Sequence, residues 1–577
     1  PVRIYKHYGP QALSIVQENP YRLAMDIRGI GFLTADALAA KLGFESEHPL
    51  RIQAGTLYTL MKQIDDGHVY YPRRALVEQT CSQLGIAEEF VEEAVDCLAR
   101  EERVVLEELD DEIGVYLTRF HHYESKIAYY LRRILASPKS VRFPKADEVV
   151  EKVVSRLGIT LAEEQLEAVR TSATSKVMVL TGGPGTGKTT ILNAIIQVFA
   201  ENKAKILLAA PTGRAAKRMS ELTGMEAQTV HRLLGMTWNE AAHQVTFQKT
   251  EKEPLEAEAV IVDEMSMVDV SLFSALLRAL RPGTRLVLVG DADQLPSVGA
   301  GNVFSDLIRS GRVETVFLRE VFRQAEQSAI IRNAHAVNLG QPPQLANNQG
   351  DFFFLCRRDG ERTLSTVVEL CKTRLPDHMG IPADQIQVLT PTRKGPSGTE
   401  NLNRCLQAAL NPPAADKREI QWGERLFRTG DRIMQTKNNY NVVWEKADGT
   451  VGTGMFNGDV GRIVEIDPSG ELLVVNFDDR IATYTLDMLN EIDLAYAMTV
   501  HKAQGSEYQC VVLAAMPAAP SLMVRGVLYT ALTRARELLI VVGDDAAIRA
   551  MAANDRQQRR YSGLRWRLAH FADPAER

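Results

Sequence analysis

The segment that most constrains this chain is Val177–Thr190, which reads VMVLTGGPGTGKTT. A short apolar run is followed by a Gly-rich loop and then by a helical pattern over Ile191–Ala200. The spacing G-x-x-x-x-G-K-[ST] is met with Gly182 and Gly187 as its fixed glycines. Glycine has no Cβ, so backbone N–H groups can surround phosphate oxygens, and the dipole of the following helix adds positive charge. The segment therefore predicts a strand, a phosphate-binding loop and a helix.

Two side chains at the end of this loop carry the predicted phosphate chemistry. Lys188 is expected to reach the β- and γ-phosphates of ATP, and the Thr189 hydroxyl is expected to hold Mg²⁺. The other predicted ATP contacts in the loop are Gly183, Pro184, Gly185, Thr186, Gly187 and Thr190. ATP and Mg²⁺ are thus the expected ligands, and the rest of the chain must say what the nucleotide drives.

Chain length and composition limit the class of protein. A chain of 577 residues predicts several domains, about three to five at usual domain sizes. The chain has no apolar run of about 18 residues that would predict a membrane span, and its first residues lack a signal-peptide pattern. Because position 1 is not Met, we expect an N-terminally truncated chain. The six cysteines include no C-x-x-C pair and are expected to be reduced.

The N-terminal region, residues 1–70, contains a G-I-G turn. Residues Pro20–Leu42 predict two short helices around this turn, Arg28–Gly31, and the second helix is rich in alanine. The pattern resembles a helix-hairpin-helix, in which the turn offers backbone N–H groups to a DNA phosphate. An ordinary helical hairpin with a glycine turn fits the segment equally well.

Residues 71–150 predict a winged-helix-like module and a linker. Two helices are expected near Arg74–Leu84 and Glu88–Arg100, followed by strands at Val104–Glu107 and Gly114–Leu117. The stretch Glu88–Glu112 contains twelve acidic residues against two arginines. Since an acidic face repels DNA, we expect a docking or spacer role. A helix over Tyr123–Ala136 and a Pro-containing linker, Ser137–Pro144, complete this part.

A helix is predicted to precede the strand that leads into the Gly-rich loop. Thr160 is a candidate N-cap, with Glu163 three residues later as the partner in a capping box. Gln165, on the same helix, is expected to lie within reach of a bound adenine.

Continuous apolar runs alternate with helical segments in this region, which predicts a parallel sheet covered on both faces. The runs are Val177–Leu180, Ile206–Ala210, Ala259–Val262 and Leu286–Val289. Ligands of such sheets bind beyond the carboxyl ends of the strands.

Acidic and amide side chains follow two of these predicted strands. Asp263 is expected to hold Mg²⁺, and Glu264 is expected to act as general base on the attacking water. Taken alone, the pair could also mark the start of a helix, but the Gly-rich loop favours the catalytic interpretation. Gln294 carries an amide suited to sensing the γ-phosphate.

A short ribbon and a second α/β region follow. Gly235–Trp238 and Gln244–Gln248 predict two strands around a polar turn, standing on the first α/β domain as an appendage. Further apolar strands are expected at Ile386–Thr390, Cys510–Ala515 and Leu538–Val542. Between them, alternating segments split by Gly, Asn and Asp turns predict a small antiparallel barrel: Asp431–Thr436, Asp459–Glu465, Leu472–Phe477 and Ile481–Thr485.

Taken together, these motifs resemble those of the superfamily 1 helicases, in particular the stand-alone, RecD-like type of superfamily 1B. The resemblance covers roughly residues 158–544. The matching segments are GGPGTGKTT (Gly182–Thr190, motif I), APTGRAAKRM (Ala210–Met219, motif Ia), QTVHRLL (Gln228–Leu234, a DNA-contact motif), VDEMSM (Val262–Met267, motif II), GDADQLPSVGAG (Gly290–Gly301, motif III), LREVFRQ (Leu318–Gln324, motif IV), YAMTVHKAQGSEY (Tyr496–Tyr508, motif V) and LYTALTRARE (Leu528–Glu537, motif VI).

The resemblance implies an α/β fold with two RecA-like motor domains. The first, domain 1A, is expected at 151–318 with a hairpin pin at about 235–254. The second, domain 2A, is expected at 319–395 and 493–577, with an SH3-like domain 2B inserted at 396–492. ATP would bind in the cleft between the motor domains.

The resemblance also implies roles for particular residues. Arg323 and Arg534 would approach the γ-phosphate as arginine fingers, and Glu507 would touch the ribose. Single-stranded DNA would be held without sequence preference by Thr212, Gly213, Arg214, Thr229, His231, Thr392, Thr499, His501, Lys502 and Gln504. A buried structural role remains open for His501.

The function implied is that of an ATP-dependent DNA helicase with 5′ to 3′ polarity, acting in repair or recombination. The expected pin residues are Asn239, Glu240, Ala241, Ala242 and His243. Single-stranded DNA and duplex junctions are the expected partners, with no membrane, a monomeric state and a cytoplasmic, nucleoid-associated location. Alternatives are an RNA-directed translocase and a DNA-binding scaffold with a vestigial ATPase; a conjugative relaxase would need a His-x-His site, which the sequence lacks.

Overall fold

The computed structural model describes residues 2–27, 30–239, 244–320, 327–345, 350–556 and 560–570. Its N-terminal region is helical. The helices are α1 (Val2–Tyr8), α2 (Ala12–Glu18), α3 (Arg22–Asp26), α4 (Phe32–Lys41) and α5 (Pro49–Asp65). Part of the predicted G-I-G turn, residues 28 and 29, lies outside the described residues.

A helical and antiparallel module follows. Its elements are β1 (Tyr70–Pro72), α6 (Arg73–Leu84), α7 (Glu88–Arg100), β2 (Val104–Leu109), β3 (Glu112–Leu117) and α8 (Thr118–Ala136). The sheet order is β1-β3-β2. The predicted helix pair and strand pair are present, and the acidic stretch forms α7 and the two longer strands, with the buried face of α7 formed by residues such as Val91 and Leu98.

The first motor sheet has six parallel strands in the order β11-β4-β10-β9-β5-β6. The elements of this part are α9 (Ala146–Leu157), α10 (Glu163–Thr174), β4 (Val177–Gly182), α11 (Lys188–Glu201), β5 (Ile206–Ala210), α12 (Gly213–Thr223), β6 (Ala227–Thr229), α13 (Val230–Leu233), β7 (Met236–Asn239), β8 (Gln244–Phe247), β9 (Ala259–Val262), α14 (Val270–Ala279), β10 (Arg285–Gly290), α15 (Val303–Ser310) and β11 (Glu314–Leu318). The four predicted apolar strands form its centre, and the edge strands β6 and β11 were not anticipated because they lack a continuous buried run.

The predicted capping box of α10 is wrong. The N-cap is Ala162, not Thr160, and the helix begins at Glu163. The side chain of Gln165, not of Glu163, accepts a hydrogen bond from the Ala162 backbone N–H at 3.0 Å. Gln165 also donates to the Thr186 carbonyl, so a tertiary contact with the Gly-rich loop fixes this side chain and with it the start of the helix.

The linker before the motor is held by a buried arginine. Arg285, at the start of β10, is 1% exposed and donates to the Val141, Ser172 and Ser175 carbonyls at 2.6–3.2 Å. Its guanidinium lies 5.2 Å from the centre of the Phe143 ring. Burial lowers the pKa of Arg285 to about 10, and carbonyl acceptors replace the water that the cation loses.

The second motor sheet has five parallel strands in the order β12-β25-β24-β13-β23. Three of them follow the inserted domain in the chain: β23 (Ala497–Thr499), β24 (Tyr508–Ala515) and β25 (Ala535–Gly543). Before the inserted domain this part contains α16 (Ala329–Asn338), β12 (Phe352–Cys356), α17 (Gly360–Glu369), α18 (Leu375–Met379), β13 (Ile386–Thr390) and α19 (Thr399–Leu410). The three strands predicted from apolar runs are β13, β24 and β25, and the core around them includes Val388 and Val512, each 1% exposed or less.

The inserted domain is antiparallel. Its strands are β14 (Glu419–Trp422), β15 (Arg425–Arg428), β16 (Arg432–Gln435), β17 (Asn439–Lys446), β18 (Val451–Met455), β19 (Val460–Ile466), β20 (Leu472–Phe477), β21 (Arg480–Thr485) and β22 (Ile492–Leu494). Seven of these strands form one sheet in the order β18-β17-β21-β20-β19-β16-β22, and β14 pairs with β15. The core includes Phe427 and Tyr484, both fully buried.

The chain then completes the second motor domain and returns to the first. The remaining elements are β23 (Ala497–Thr499), β24 (Tyr508–Ala515), α20 (Arg525–Leu532), β25 (Ala535–Gly543), α21 (Asp545–Ala553) and α22 (Leu564–Ala569). The segment around α22 lies against the N-terminal module, where Arg567 forms ion pairs with Glu107 and the buried Glu124. Among the described residues, no helix is long and apolar enough to span a membrane.

Candidate nucleotide and nucleic-acid sites

A cavity of about 1100 Å³ opens between the two motor sheets. Predicted residues from both sides line it. From the first motor domain these are Gly183, Pro184, Gly185, Gly187, Lys188, Thr189, Thr190, Asp263, Glu264 and Gln294, and from the second Glu507 and Arg534. The sheet topology explains the convergence, because β4, β9 and β10 are adjacent parallel strands whose carboxyl ends meet at one edge.

The Gly-rich loop leads directly into α11. Gly185 and Gly187 have φ values of 77° and 82°, which residues with a Cβ rarely adopt. Gly187 is the N-cap of α11, so the positive end of this helix faces the cavity. The Lys188 ammonium donates to the carbonyls of Gly182 and Gly183, the latter at 3.0 Å, and so lies folded along the loop.

The acidic pair after β9 is held in an unusual backbone conformation. Glu264 has φ 55°, a left-handed conformation that costs a non-glycine residue on the order of 1–3 kcal/mol. Its N–H donates to the Asp263 carboxylate at 2.8 Å. Burial raises the pKa of both carboxyls, the Asp263 charge raises that of Glu264 further, and Lys188 opposes both shifts.

The donor chemistry of the cavity suits a hard divalent cation. The Thr189 hydroxyl and the Asp263 carboxylate line the same space as Lys188. Oxygen ligands of this kind, together with phosphate oxygens, are the usual protein environment of Mg²⁺. The residues present therefore fit the metal that the sequence predicts.

Gln294 lies against the second motor domain. Its amide donates to the Asp291 carboxylate at 3.2 Å, and Tyr529 donates to the same oxygen at 2.8 Å. A Cβ on Gly183 would lie 3.0 Å from the Tyr529 hydroxyl oxygen and 3.5 Å from the His335 ring. Glycine at 183 therefore lets the second domain approach the loop closely.

Of the two predicted arginine fingers, the structure describes only Arg534. Arg534 is 2% exposed and lines the cavity. Its guanidinium donates to the Ser506 and Thr530 carbonyls at 3.0 and 3.2 Å and to the Thr533 hydroxyl at 3.2 Å, which fixes its position. Arg323 lies outside the described residues.

Gln165 and Glu507 are both occupied by protein partners. Gln165 is 3% exposed, and its amide donates to the Thr186 carbonyl at 2.9 Å, so it lies beneath the Gly-rich loop. Glu507 forms an ion pair with Arg218 of α12, which also lines the cavity. Sequence reasoning missed Arg218. The available signal was its spacing, since it lies four residues after Arg214 and thus on the same face of a helix.

A second cavity, of about 790 Å³, lies between both motor domains and the inserted domain. Eight of the ten predicted DNA contacts line it: Thr212, Gly213, Arg214, Thr392, Thr499, His501, Lys502 and Gln504. The remaining two do not. Thr229 caps α13 by accepting from the Arg232 N–H at 3.2 Å, and His231 lies beside Phe247 of the ribbon.

Several of these side chains also have structural roles. Thr212 caps α12 by accepting from the Ala215 N–H at 3.2 Å. Arg214 reaches across the cleft and donates to Tyr508 at 3.0 Å. Gln504 is 4% exposed and donates to the Leu295 carbonyl at 2.7 Å. Burial lowers the pKa of His501, which favours a neutral ring.

The inserted domain supplies a wall of this second cavity that sequence reasoning missed. Asn457, Gly458 and Asp459 line it. A Cβ on Gly213 would lie 3.1 Å from the Asp459 carboxylate, so the two domains are close here. The Asn-Gly-Asp sequence is a turn signal between alternating strands and could have identified this loop.

The predicted ribbon is present as β7 and β8. The strands pair antiparallel with Met236 opposite Phe247 and Asn239 opposite Gln244. The Thr237 and Thr246 hydroxyls lie 3.1 Å apart across the pair. The other predicted pin residues, 240–243, lie outside the described residues.

Family models match four parts of the chain. Residues 1–70 match the ATP-dependent RecD2 DNA helicase HHH domain, and 165–300 match an AAA domain. Residues 402–477 match the ATP-dependent RecD-like DNA helicase SH3 domain. Residues 494–542 match the UvrD-like helicase C-terminal domain.

Curated relatives extend this likeness over nearly the whole chain. The ATP-dependent RecD2 DNA helicase of Deinococcus radiodurans is 35% identical over 98% of this chain and 76% of its own length. The RecBCD enzyme subunit RecD of Mycolicibacterium smegmatis is 33% identical over 72% of this chain and 76% of its own length. A solved Pif1 helicase from Bacteroides superposes with a TM-score of 0.42 at 18% identity, over 68% of this chain and 94% of that one, and supports no further conclusion. The chain belongs to the family of ATP-dependent RecD2 DNA helicases.

Proposed function

We propose that hydrolysis of ATP in the first cavity drives stepping along single-stranded DNA in the second, with 5′ to 3′ polarity. One observation carries the coupling of the two sites: two facing elements line both cavities. The polarity rests on the resemblance to superfamily 1B helicases. Helix α12 contributes Gly213 and Arg214 to the second cavity and Arg218 to the first, and residues 504–507 do the same from the other motor domain. A movement of either element therefore changes both sites.

Contacts across the cleft tie these elements together. Arg214 donates to Tyr508 at 3.0 Å, Arg218 pairs with Glu507, and Gln504 donates to the Leu295 carbonyl at 2.7 Å. Each contact joins one motor domain to the other. When the cleft opens they separate together, so the nucleotide state and the grip on DNA change as one two-state system.

Roles in the ATP cavity follow from position and chemistry. Lys188 binds the β- and γ-phosphates, Glu264 orients and deprotonates the attacking water, and Arg534 stabilises the charge that develops on the γ-phosphate. An arginine in this role contributes about 10³–10⁵ in rate. Mg²⁺ held by Thr189 and Asp263 neutralises phosphate charge when it is bound. Gln294 contacts the γ-phosphate, and Arg323 serves as a second arginine finger.

The proposed DNA grip uses mainly hydroxyl, amide and backbone groups. The residues are the eight that line the second cavity, with Thr229 and His231 extending the path along the first motor domain. Such groups hold sugar and phosphate without reading base sequence. The ribbon β7–β8 would act as the pin at the duplex junction, where each base step costs about 1.4 kcal/mol to separate.

The domain organisation proposed for this activity keeps the boundaries expected from the sequence. Domain 1A spans 151–318, domain 2A spans 319–395 and 493–577, and domain 2B spans 396–492. Within these bounds, α19 at the start of 2B packs on the core of the second motor sheet, and the segment 560–570 at the end of 2A packs back on domain 1A and the N-terminal module. The N-terminal parts, 1–70 and 71–150, would contact the duplex and act as a spacer, respectively. We propose a monomer that acts in the cytoplasm on single-stranded DNA and on duplex junctions, in repair or recombination.

A strand-displacement assay tests substrate and polarity together. Duplexes with a 5′ tail, a 3′ tail or no tail, in DNA and in RNA, are mixed with the protein, ATP and Mg²⁺. We expect displacement of the 5′-tailed DNA duplex only. Faster displacement from a 3′ tail would contradict the polarity, and equal activity on an RNA track would contradict the choice of DNA as the track.

A further inference from the structure

The Asp291 carboxylate, just beyond the end of β10, is shared by side chains from opposite sides of the cleft. Tyr529 of α20 donates to Oδ2 at 2.8 Å from the second motor domain. Gln294 donates to the same oxygen at 3.2 Å from the first. The Asp293 backbone N–H donates to Oδ1 at 3.1 Å. Asp291 thus links a residue of one domain to a residue of the other.

This link is buried. The exposed fractions are 1% for Tyr529, 2% for Asp291 and 8% for Gln294. A buried carboxylate needs donors in place of water, and hydrogen bonds to a charged acceptor are stronger than those between neutral groups. Burial and the neighbouring Asp291 raise the pKa of Tyr529 well above its usual value, so its hydroxyl stays protonated and donates.

The same hydroxyl also lies against the Gly-rich loop, 3.0 Å from where a Cβ of Gly183 would be. The next residue, Thr530, accepts from the Leu295 N–H at 3.0 Å. Consecutive residues of α20 therefore hold the segment that contains Gln294, and they do so only while the two motor domains are close.

We propose that Tyr529 is a positioning residue of the ATPase reaction: through Asp291 it sets the Gln294 amide in the closed cleft. The proposal rests on the phosphate contact proposed above for Gln294. When the cleft opens, Tyr529 moves away with its domain and the amide loses its fixed orientation. Hydrolysis is then confined to the closed state, which the contacts beside the DNA cavity also stabilise.

The substitution Tyr529→Phe tests this in the full chain, because it keeps the buried ring and removes only the hydroxyl. In saturating single-stranded DNA we expect kcat for ATP to fall about tenfold while KM changes by no more than about threefold, because a misplaced Gln294 amide slows the chemical step more than it weakens nucleotide binding. A fall in affinity without a fall in kcat would overturn the proposal.

The matched control is Tyr70→Phe, at another buried tyrosine whose hydroxyl donates to a carboxylate, that of Glu112 at 2.7 Å. Tyr70 lies in the N-terminal module, far in the chain from the cleft residues. We expect its kcat to match the parent. An equal loss in both variants would show a general effect of removing a buried hydroxyl and would overturn the positioning role.

A double variant separates the action of Tyr529 through Asp291 on Gln294, called the relay below, from the role of Gln294 itself. If Tyr529 acts through Gln294, then Gln294→Ala alone and Gln294→Ala with Tyr529→Phe have the same kcat within about twofold. If Gln294→Ala lowers kcat and the second change lowers it tenfold more, the phosphate contact stands and the relay is overturned. If Gln294→Ala leaves kcat unchanged, the phosphate contact itself fails.

DNA binding gives a readout that does not depend on turnover. The dissociation constant for single-stranded DNA is measured with and without a nonhydrolysable ATP analogue, and the ratio of the two constants reports coupling between the sites. A ratio of one means that the nucleotide does not affect DNA binding. We expect Tyr529→Phe to bring the ratio closer to one by a factor of about three or more. A ratio equal to that of the parent would overturn the proposal.

Discussion

Arg218 of α12 and Glu507 of the second motor domain form an ion pair across the cleft of the candidate nucleotide site. The two side chains are 40% and 26% exposed, so the pair adds little to folding, at most about 1 kcal/mol. Its effect should instead be on the nucleotide, because the Arg218 charge opposes the rise that burial causes in the pKa of Asp263 and Glu264, and Arg218 thus lies close to the predicted reaction centre.

We predict that Arg218→Gln raises KM for ATP severalfold. Without Arg218 the Glu507 carboxylate is left as an unpaired negative charge in the cavity, where it repels the negatively charged triphosphate. Adding Glu507→Gln should restore most of the affinity, and steady-state ATPase kinetics measure both. Lys217→Gln is the control, because Lys217 precedes Arg218 on the same helix but pairs with Asp478 outside the cavity. An unchanged KM in Arg218→Gln would contradict the prediction.

Glu264→Gln should abolish hydrolysis while leaving nucleotide binding intact. The amide keeps the size of the side chain but cannot accept the proton of the attacking water, a step worth about 10²–10⁴ in rate. We expect kcat in saturating single-stranded DNA to fall by a factor of about 10² or more. Glu256→Gln, at a side chain that is 71% exposed, controls for loss of a carboxylate elsewhere. Hydrolysis by Glu264→Gln at the parent rate would remove its assignment as general base.

Removing the tip of the ribbon should separate unwinding from ATPase activity. Deletion of residues 239–243 shortens the predicted pin, and none of the described residues that line either cavity lies in the ribbon. We expect DNA-stimulated ATPase to stay within about twofold and strand displacement per ATP to fall several times, because the junction then opens only by fraying. Equal unwinding by both proteins would refute the role of the ribbon as a pin.

The contact between the C-terminal segment and the N-terminal module should weaken as pH rises. The Ser562 hydroxyl lies 2.8 Å from a Glu124 oxygen and 2.7 Å from an Asp306 oxygen, although it has one proton to donate. Burial and the Glu124 charge raise the pKa of Asp306 to about 7, against the opposing effects of Ser562, Arg309 and Arg565.

Because the folded pKa of Asp306 lies above its unfolded value of 3.8, its stabilising effect is complete below about pH 4 and is lost as pH rises through 7. Between pH 6 and 8 we expect a loss of about 1 kcal/mol, measured as faster amide exchange in α22 after correction for intrinsic rates. Asp306→Asn should remove this pH dependence. A dependence that persists in the variant would assign it to another group.

Much of the fold was predictable from hydrophobic pattern. The central strands of both motor sheets are continuous apolar runs with nearly the predicted bounds, because a strand buried on both faces needs apolar side chains at every position. Strands β6 and β11 were missed since edge strands are only partly buried and carry mixed residues. The start of α10 was misplaced because the contact of Gln165 with the Gly-rich loop, and not a local capping box, fixes it.

The sequence by itself determined which groups are available for chemistry: the Gly-rich loop with Lys188 and Thr189, the acidic pair after β9, and Arg534. These are local patterns, and residues close in sequence keep their spacing in any fold. Only the tertiary structure decided which of them meet across the cleft. The partners of Asp291 and Glu507 across the cleft, Tyr529 and Arg218, come from segments more than 200 residues away in the chain, and these contacts depend on how two separate sheets pack. The hydrophobic periodicity within one segment does not predict how distant segments pack.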